Sequence, residues 1–366
     1  MNTDENKRSR WVRVVLAVAG KDITDAIKNR IAISIILGVT MIVLTGRVLP
    51  LVMKLRPEKR AYVYDASGST FVEEFSRGES YRLVEMPSAE AMLREVSMTV
   101  AGTIGLALPA DLETILEGDE PLPVEAYFAH ALKRSEKDEL MALFTSGLSE
   151  ALNREVIINA EGNELFPAPD AGGHPFMVSI SLAISILTIG MSLVPLLMIE
   201  EKERHTIDAL LVSPASYGQI VLGKALAGIF YCTVAALVVY VLNINLLATG
   251  WVAVIAVLAG ALFTVSVGLL LGVLFEQQAN MNMVMGLVLI LLMVPMLLSL
   301  APAANIPASV KTVLPFLPSV AMGRLFSISF SNVVEFAALL LNLSVLFGFA
   351  IVLLLLVTWR VKRMDR

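Results

Sequence analysis

A single cysteine, Cys232, and three widely separated histidines, His130, His174 and His205, are all that 366 residues offer toward thiol or soft-metal chemistry. One cysteine cannot close an intrachain disulfide, and scattered histidines make no metal site. Charge is scarce as well. Asp, Glu, Lys and Arg make up 17% of the chain, against about 25% in ordinary soluble domains. Apolar residues reach 56% and the mean hydropathy is +0.74. This balance argues against a water-soluble enzyme and excludes intrinsic disorder.

What is present is long apolar runs. A helix crossing the hydrocarbon needs about 20 mostly apolar residues. Six stretches meet this, at 31–53, 176–199, 221–247, 251–275, 283–301 and 334–359. The first has a long charged leader, too long an apolar run and no small-residue cleavage site, so it reads as a span and not a signal peptide. The leader holds Lys7, Arg8, Arg10, Arg13, Lys21, Lys28 and Arg30. The segment after the second span holds Lys202, Arg204 and Lys224, and the tail holds Arg360, Lys362, Arg363 and Arg366. The excess of positive charge on cytoplasmic segments then puts both termini in the cytoplasm. Residues 11–30 have Val14, Val15, Val18, Ile23 and Ile27 near helical spacing with basic residues around them. An amphipathic helix lying in the interface is expected.

Between the first two spans lies a polar region, 55–175. Short β-rich runs at 61–65, 81–86, 102–109 and 122–129 alternate with helical patterns near 69–77, after Ser88, at 111–118 and at 136–154. Ser88 reads as an N-cap, though Ala91 rules out a full capping box. The alternation implies a small α/β sheet with helices packed on it. This region has 10 Lys/Arg against 22 Asp/Glu, a net of −12, whereas the rest of the chain is +7. It offers no Ser/His/Asp order, no HExxH and no Gly-rich phosphate loop. The expected fold is therefore an integral membrane α-helical protein of six transmembrane helices with an inserted extracytoplasmic α/β domain. The parts are a leader (1–30), a first transmembrane helix (31–54), the α/β domain (55–175) and a five-helix region (176–366) with an outer connection at 302–333.

The most informative stretch is 200–225, EEKERHTIDALLVSPASYGQIVLGKA. A charge-dense run abuts two spans, turns amphipathic through Ile207, Leu210 and Leu211, and stops at Pro214. It resembles the signature of type-2 ABC exporter permeases, E-E-[KR]-E-x-G-T-[IL]-[ED]-x-L-L-x-[ST]-P with a distal G-K. Glu200, Glu201, Lys202, Glu203, Thr206, Ile207, Leu210, Leu211, Ser213, Pro214, Gly223 and Lys224 match. His205 stands where that family usually has Gly, and Asp208 where it usually has Glu. The basic leader K-D-x-x-x-x-x-K-N-R (21–30), the large outer domain and P-F-L-P-S (315–319) also fit, most closely the sodium-efflux and multidrug-like subgroup.

The resemblance implies a coupling helix at 200–214 that docks a separate nucleotide-binding ATPase. Its contact residues would be Glu200, Glu201, Lys202, Glu203, Arg204, Thr206, Asp208, Leu211, Ser213 and Pro214. It further implies a second permease copy or paralogue, a plasma-membrane location, and efflux by alternating access. Glu201→Lys is expected to uncouple transport while leaving folding intact. The run from Gly218 to Lys224 matches G-x-x-x-x-G-K, but Ala225 cannot ligate Mg²⁺ and no strand precedes it. The chain itself is thus expected to bind no cofactor and to be no enzyme; ATP and Mg²⁺ belong to the partner. Nothing points to nucleic acid.

Polar residues within the spans, Arg47, Asn243, Asn245 and Asn342, are candidates for the translocation path, with snorkelling or interhelical hydrogen bonds as the plainer reading. The loop carrying Glu276, Gln277, Gln278, Asn280 and Asn282 is a candidate second ATPase contact. Gly260, Gly268 and Gly272 suggest close helix packing. An ATP-independent channel or carrier, or a sensor using the outer domain, are the competing readings; the first would show inverted repeats, which are absent from the sequence.

Overall fold

The computed structural model describes residues 2–30, 59–68, 81–99, 102–118, 121–160, 162–169, 172–203, 216–300 and 307–364, with positions 33, 34, 37, 38, 40 and 41. The expected first span and the helix near 69–77 lie largely outside the described residues.

Helix α1 (Asn2–Lys28) has two faces. Val15, Val18, Ala19, Asp22 and Ala26 recur at helical spacing and are buried, while Trp11, Val12, Leu16 and Ile27 are exposed. The apolar residues thus divide between protein and surroundings, and Ile27 leaves the stripe on which its spacing had placed it.

The polar region forms a mixed sheet. Its elements are β1 (Lys59–Asp65), β2 (Tyr81–Glu85), α2 (Ala89–Met98), β3 (Thr103–Leu108), α3 (Leu112–Glu117), β4 (Leu122–Ala129), α4 (Arg134–Leu152), β5 (Val156–Asn159) and β6 (Glu164–Leu165). The strand order is β2-β1-β3-β4-β5, with β6 pairing β4. Among the described strands, β3 and β4 run antiparallel, whereas β1–β2, β1–β3, β4–β5 and β4–β6 are parallel. Buried residues alternate along β4 (Leu122, Val124, Ala126, Phe128), whereas β3 is buried almost throughout, as a central strand should be. Leu140, Phe144 and Leu148, spaced by four, bring one face of α4 into the core. Tyr81 packs 5.2 Å from Phe144 and fills the space a side chain on Gly147 would need. Ser88 caps α2 by accepting from Ala91 N at 3.1 Å, as its position suggested.

The remainder is a helical bundle. Among the described residues, five helices are long and apolar enough to cross a membrane: α5 (Gly173–Glu203), α6 (Tyr217–Leu242), α7 (Gly250–Leu274), α8 (Gln278–Leu300) and, later in the chain, Phe336–Met364. Between these last two lie α9 (Ala308–Val313) and α10 (Pro318–Phe330), so Phe336–Met364 is α11. Helix α5 is the axis. Most of its residues are buried, and it approaches α7 closely where glycines leave room: a Cβ on Gly268 would run into Gly190 O, and one on Gly272 into Met198 and Pro195. Such contact is how helices associate without a hydrophobic drive between them.

The stretch read as an outer connection is more than that. The helical segments Ser309–Phe316 and Pro318–Phe330 meet at a 78° bend, and α10 is packed inside the bundle. Thirteen residues are too few to cross, but suit a buried or re-entrant segment. Met322 and Phe326 lie over Gly260 of α7. Ser327 bonds Ser179, Tyr240 bonds Ser329, and Ala248 N and Thr249 N donate to Ser329 O. The end of α10 therefore sits level with the start of α7. This is also the end of the bundle nearest the sheet, where Gly173 abuts Met98.

Candidate functional site

At the opposite end, α1, α5 and α6 converge on a set of buried charges. The last turn of α5 carries Glu200, Glu201, Lys202 and Glu203. Glu201 is buried and holds two ammonium groups: Lys21 Nζ from α1 at 2.6 Å and Lys224 Nζ from α6 at 2.6 Å. Lys224 also meets Asp22 at 3.2 Å, and both of those side chains are almost wholly enclosed. Two cations and two anions thus neutralise each other, which is the condition for burying charge at tolerable cost. Around them, Asn29 donates to Glu200 at 2.6 Å, Gln219 donates to the carbonyl of Trp11, and Tyr231 donates to that of Ile23. Gly223 makes the approach possible: a Cβ there would lie 2.7 Å from Val18.

Environment sets the charges on α1. Burial opposes the Lys21 ammonium, but its hydrogen bond to Glu201 and the charges of Glu201, Asp22 and Asp25 outweigh it and hold the group above its ordinary value. Burial lifts the Asp22 carboxyl above the usual carboxylate range; the attraction of Lys224 only partly offsets this, and Glu201 adds to it.

Lys202 has a different task. Its Nζ donates to Gly272 O at 2.7 Å, Phe275 O at 3.0 Å and Val273 O at 3.2 Å. These are carbonyls that the last turn of α7 leaves without intrahelical partners. Glu276 and Arg360 are close enough for their charges to act on Lys202, which places the end of α11 here too. Glu203 is exposed.

The candidate contact residues therefore divide. Glu201 and Lys202 are turned into the molecule, Glu200 is held by Asn29, and Glu203 faces outward. Arg204, Thr206, Asp208, Leu211, Ser213 and Pro214 lie outside the described residues, as does Arg47. The expectation that Glu201→Lys leaves folding intact has to be corrected, because it would set three ammonium groups together in a buried site. Asn243 ends α6, donating to Val239 O at 2.9 Å, and Asn245 is exposed nearby. Asn342 is buried on α11 and donates to Ala338 O at 2.8 Å. These three are not brought together with the charge cluster.

Lys21, Asp22 and Lys224 were not chosen as site residues from the sequence. Their signal was there: Asp22 interrupts an apolar stripe on α1, and Lys224 is the one charged residue of α6. The G-x-x-x-x-G-K run lies within α6, with Lys224 committed to Asp22 and Glu201. This is the wrong setting for a phosphate cradle, which needs a loop between strand and helix.

The bundle and its charged end agree with what the comparisons give. No curated protein matches the chain. The sequence profile described as ABC-2 family transporter protein matches residues 112–359, more than half of the chain, from α3 to near the end of Phe336–Met364. The chain therefore belongs to the ABC-2 transporter family and is a multi-pass membrane permease of an ABC transporter.

Proposed function

We propose that the chain is the permease subunit of an ABC exporter of the sodium-efflux and multidrug-like subgroup, with its ATPase docked on the 200–214 segment. The subunit works as a homodimer or as half of a heterodimer in the plasma membrane. Both termini and the charge cluster face the cytoplasm, and the sheet lies outside. Binding and hydrolysis of ATP by the partner switch the spans between inward- and outward-facing states. The observation that carries this reading is the clamp around Glu201. It ties the helix entering the docking segment (α5) to the one leaving it (α6) and to α1. A push on the segment would reach three helices at once.

Glu203 provides the test because it is exposed beside the segment and lies outside the clamp. In membranes where the permease is co-expressed with its ATPase, Glu203→Lys is expected to reduce co-purification of the ATPase several-fold. The thermal stability of the permease should stay at the wild-type value. Undiminished co-purification and ATP-driven efflux in that variant would refute the docking assignment.

A further inference from the structure

Arg324 is the exception on α10. The twelve other residues from Pro318 to Phe330 are buried, and Arg324 alone is partly exposed. Among the described residues no hydrogen bond or ion pair holds its guanidinium, and no neighbouring charge acts on it. The cations at the other end differ in this respect: Lys21, Lys202 and Lys224 each have partners within 3.2 Å.

Position makes the lack of a partner costly. Arg324 lies five residues before Ser329, which is level with the start of α7; at 1.5 Å per residue it sits about 8 Å into the bundle. A guanidinium keeps its charge in proteins and presents five donors in a flat fork. A charge at such depth is expected to be paired or to mark a ligand route. The fork matches the two oxygens of a phosphate or carboxylate, and a ligand reaching it through an apolar layer needs an apolar tail.

We propose that Arg324 holds the anionic head, phosphate or carboxylate, of an amphiphile that reaches the bent helix pair from the sheet end of the bundle. The occupant is either a resident bilayer lipid or a transported amphiphilic anion. The proposal rests on α10 alone and does not depend on where the ATPase docks.

Purified full-length chain in a neutral maltoside detergent is titrated with phosphatidylglycerol in one arm and with dodecyl phosphate in the other, with binding read by native mass spectrometry. Arg324→Gln should weaken at least one probe by about tenfold, the scale of one charge-assisted bond. Arg324→Lys, which keeps the charge and loses the fork, should fall between. Selective loss of phosphatidylglycerol identifies a lipid site, and selective loss of the single-chain probe identifies a cargo site. Wild-type affinity of Arg324→Gln for both probes overturns the proposal. So does a marked fall in its thermal midpoint without probe, since that would mean the guanidinium serves a bond within the chain.

Discussion

Glu201 and Asp22 are both buried carboxylates in one cluster, yet they carry unequal weight. Glu201 meets two ammonium groups at 2.6 Å, whereas Asp22 meets one at 3.2 Å and is already pushed toward its neutral form by burial. Removing one member of a buried pair typically costs about 3–5 kcal/mol because the other charge is left behind. Glu201→Gln is therefore expected to destabilise the permease by about 3 kcal/mol, and Asp22→Asn by about 1 kcal/mol, the net scale of a single hydrogen bond. Unfolding in a denaturing detergent series would rank them, and equal losses would contradict this division of labour. Neither role could be read from sequence alone. A Glu beside a membrane span reads as surface, and only the fold brings Lys21 and Lys224 to it from 180 residues before and 23 after.

The elements were legible where periodicity and length agree. The five membrane-length helices among the described residues follow five of the six expected spans, because an unbroken apolar run of that length has few other solutions. The bent pair was not legible: Pro302, Pro307, Pro315 and Pro318 punctuate the stretch, and the apolar run after them is too short for a span. β5 and β6 escaped notice at four and two residues, and strand order depends on contacts that no local pattern encodes. The packing of α1 on α6 belongs to this scale as well. Gly223→Leu would drive a side chain into Val18 and the carbonyl of Val15, and is expected to cost about 1–3 kcal/mol and expose Lys21 to trypsin. Gly20→Ala on α1 meets open space and serves as control, neutral or slightly stabilising. Equal protease resistance of the two variants would mean that the contact does not hold α1.

The whole molecule sets an acidic sheet region against a basic helical one. Within the former, Glu164 joins β6 to α4 through Lys137 at 2.6 Å and to the end of β4 through His130 at 3.2 Å, and His130 stacks on Phe166. The hydrogen bond from Lys137, with that from His130, holds the Glu164 carboxyl below its ordinary value. A carboxyl lowered in the folded state adds stability above its unfolded value and loses it as pH falls through the folded one. The site is largely exposed, so the gain is small. The protection of the β6 amides, taken relative to their intrinsic exchange rates, is expected to fall modestly below about pH 4, and Glu164→Gln should remove that dependence. A pH response that persists in the variant would point to another group.

The bent pair also settles a question of parity. Because α10 ends level with the start of α7, the chain leaves the pair on the side from which α8 delivered it, and α11 runs back toward Lys202. α11 thus takes the direction it would have if α8 led straight into it. Lengthening, shortening or deleting the pair would therefore leave the orientation of α11 unchanged.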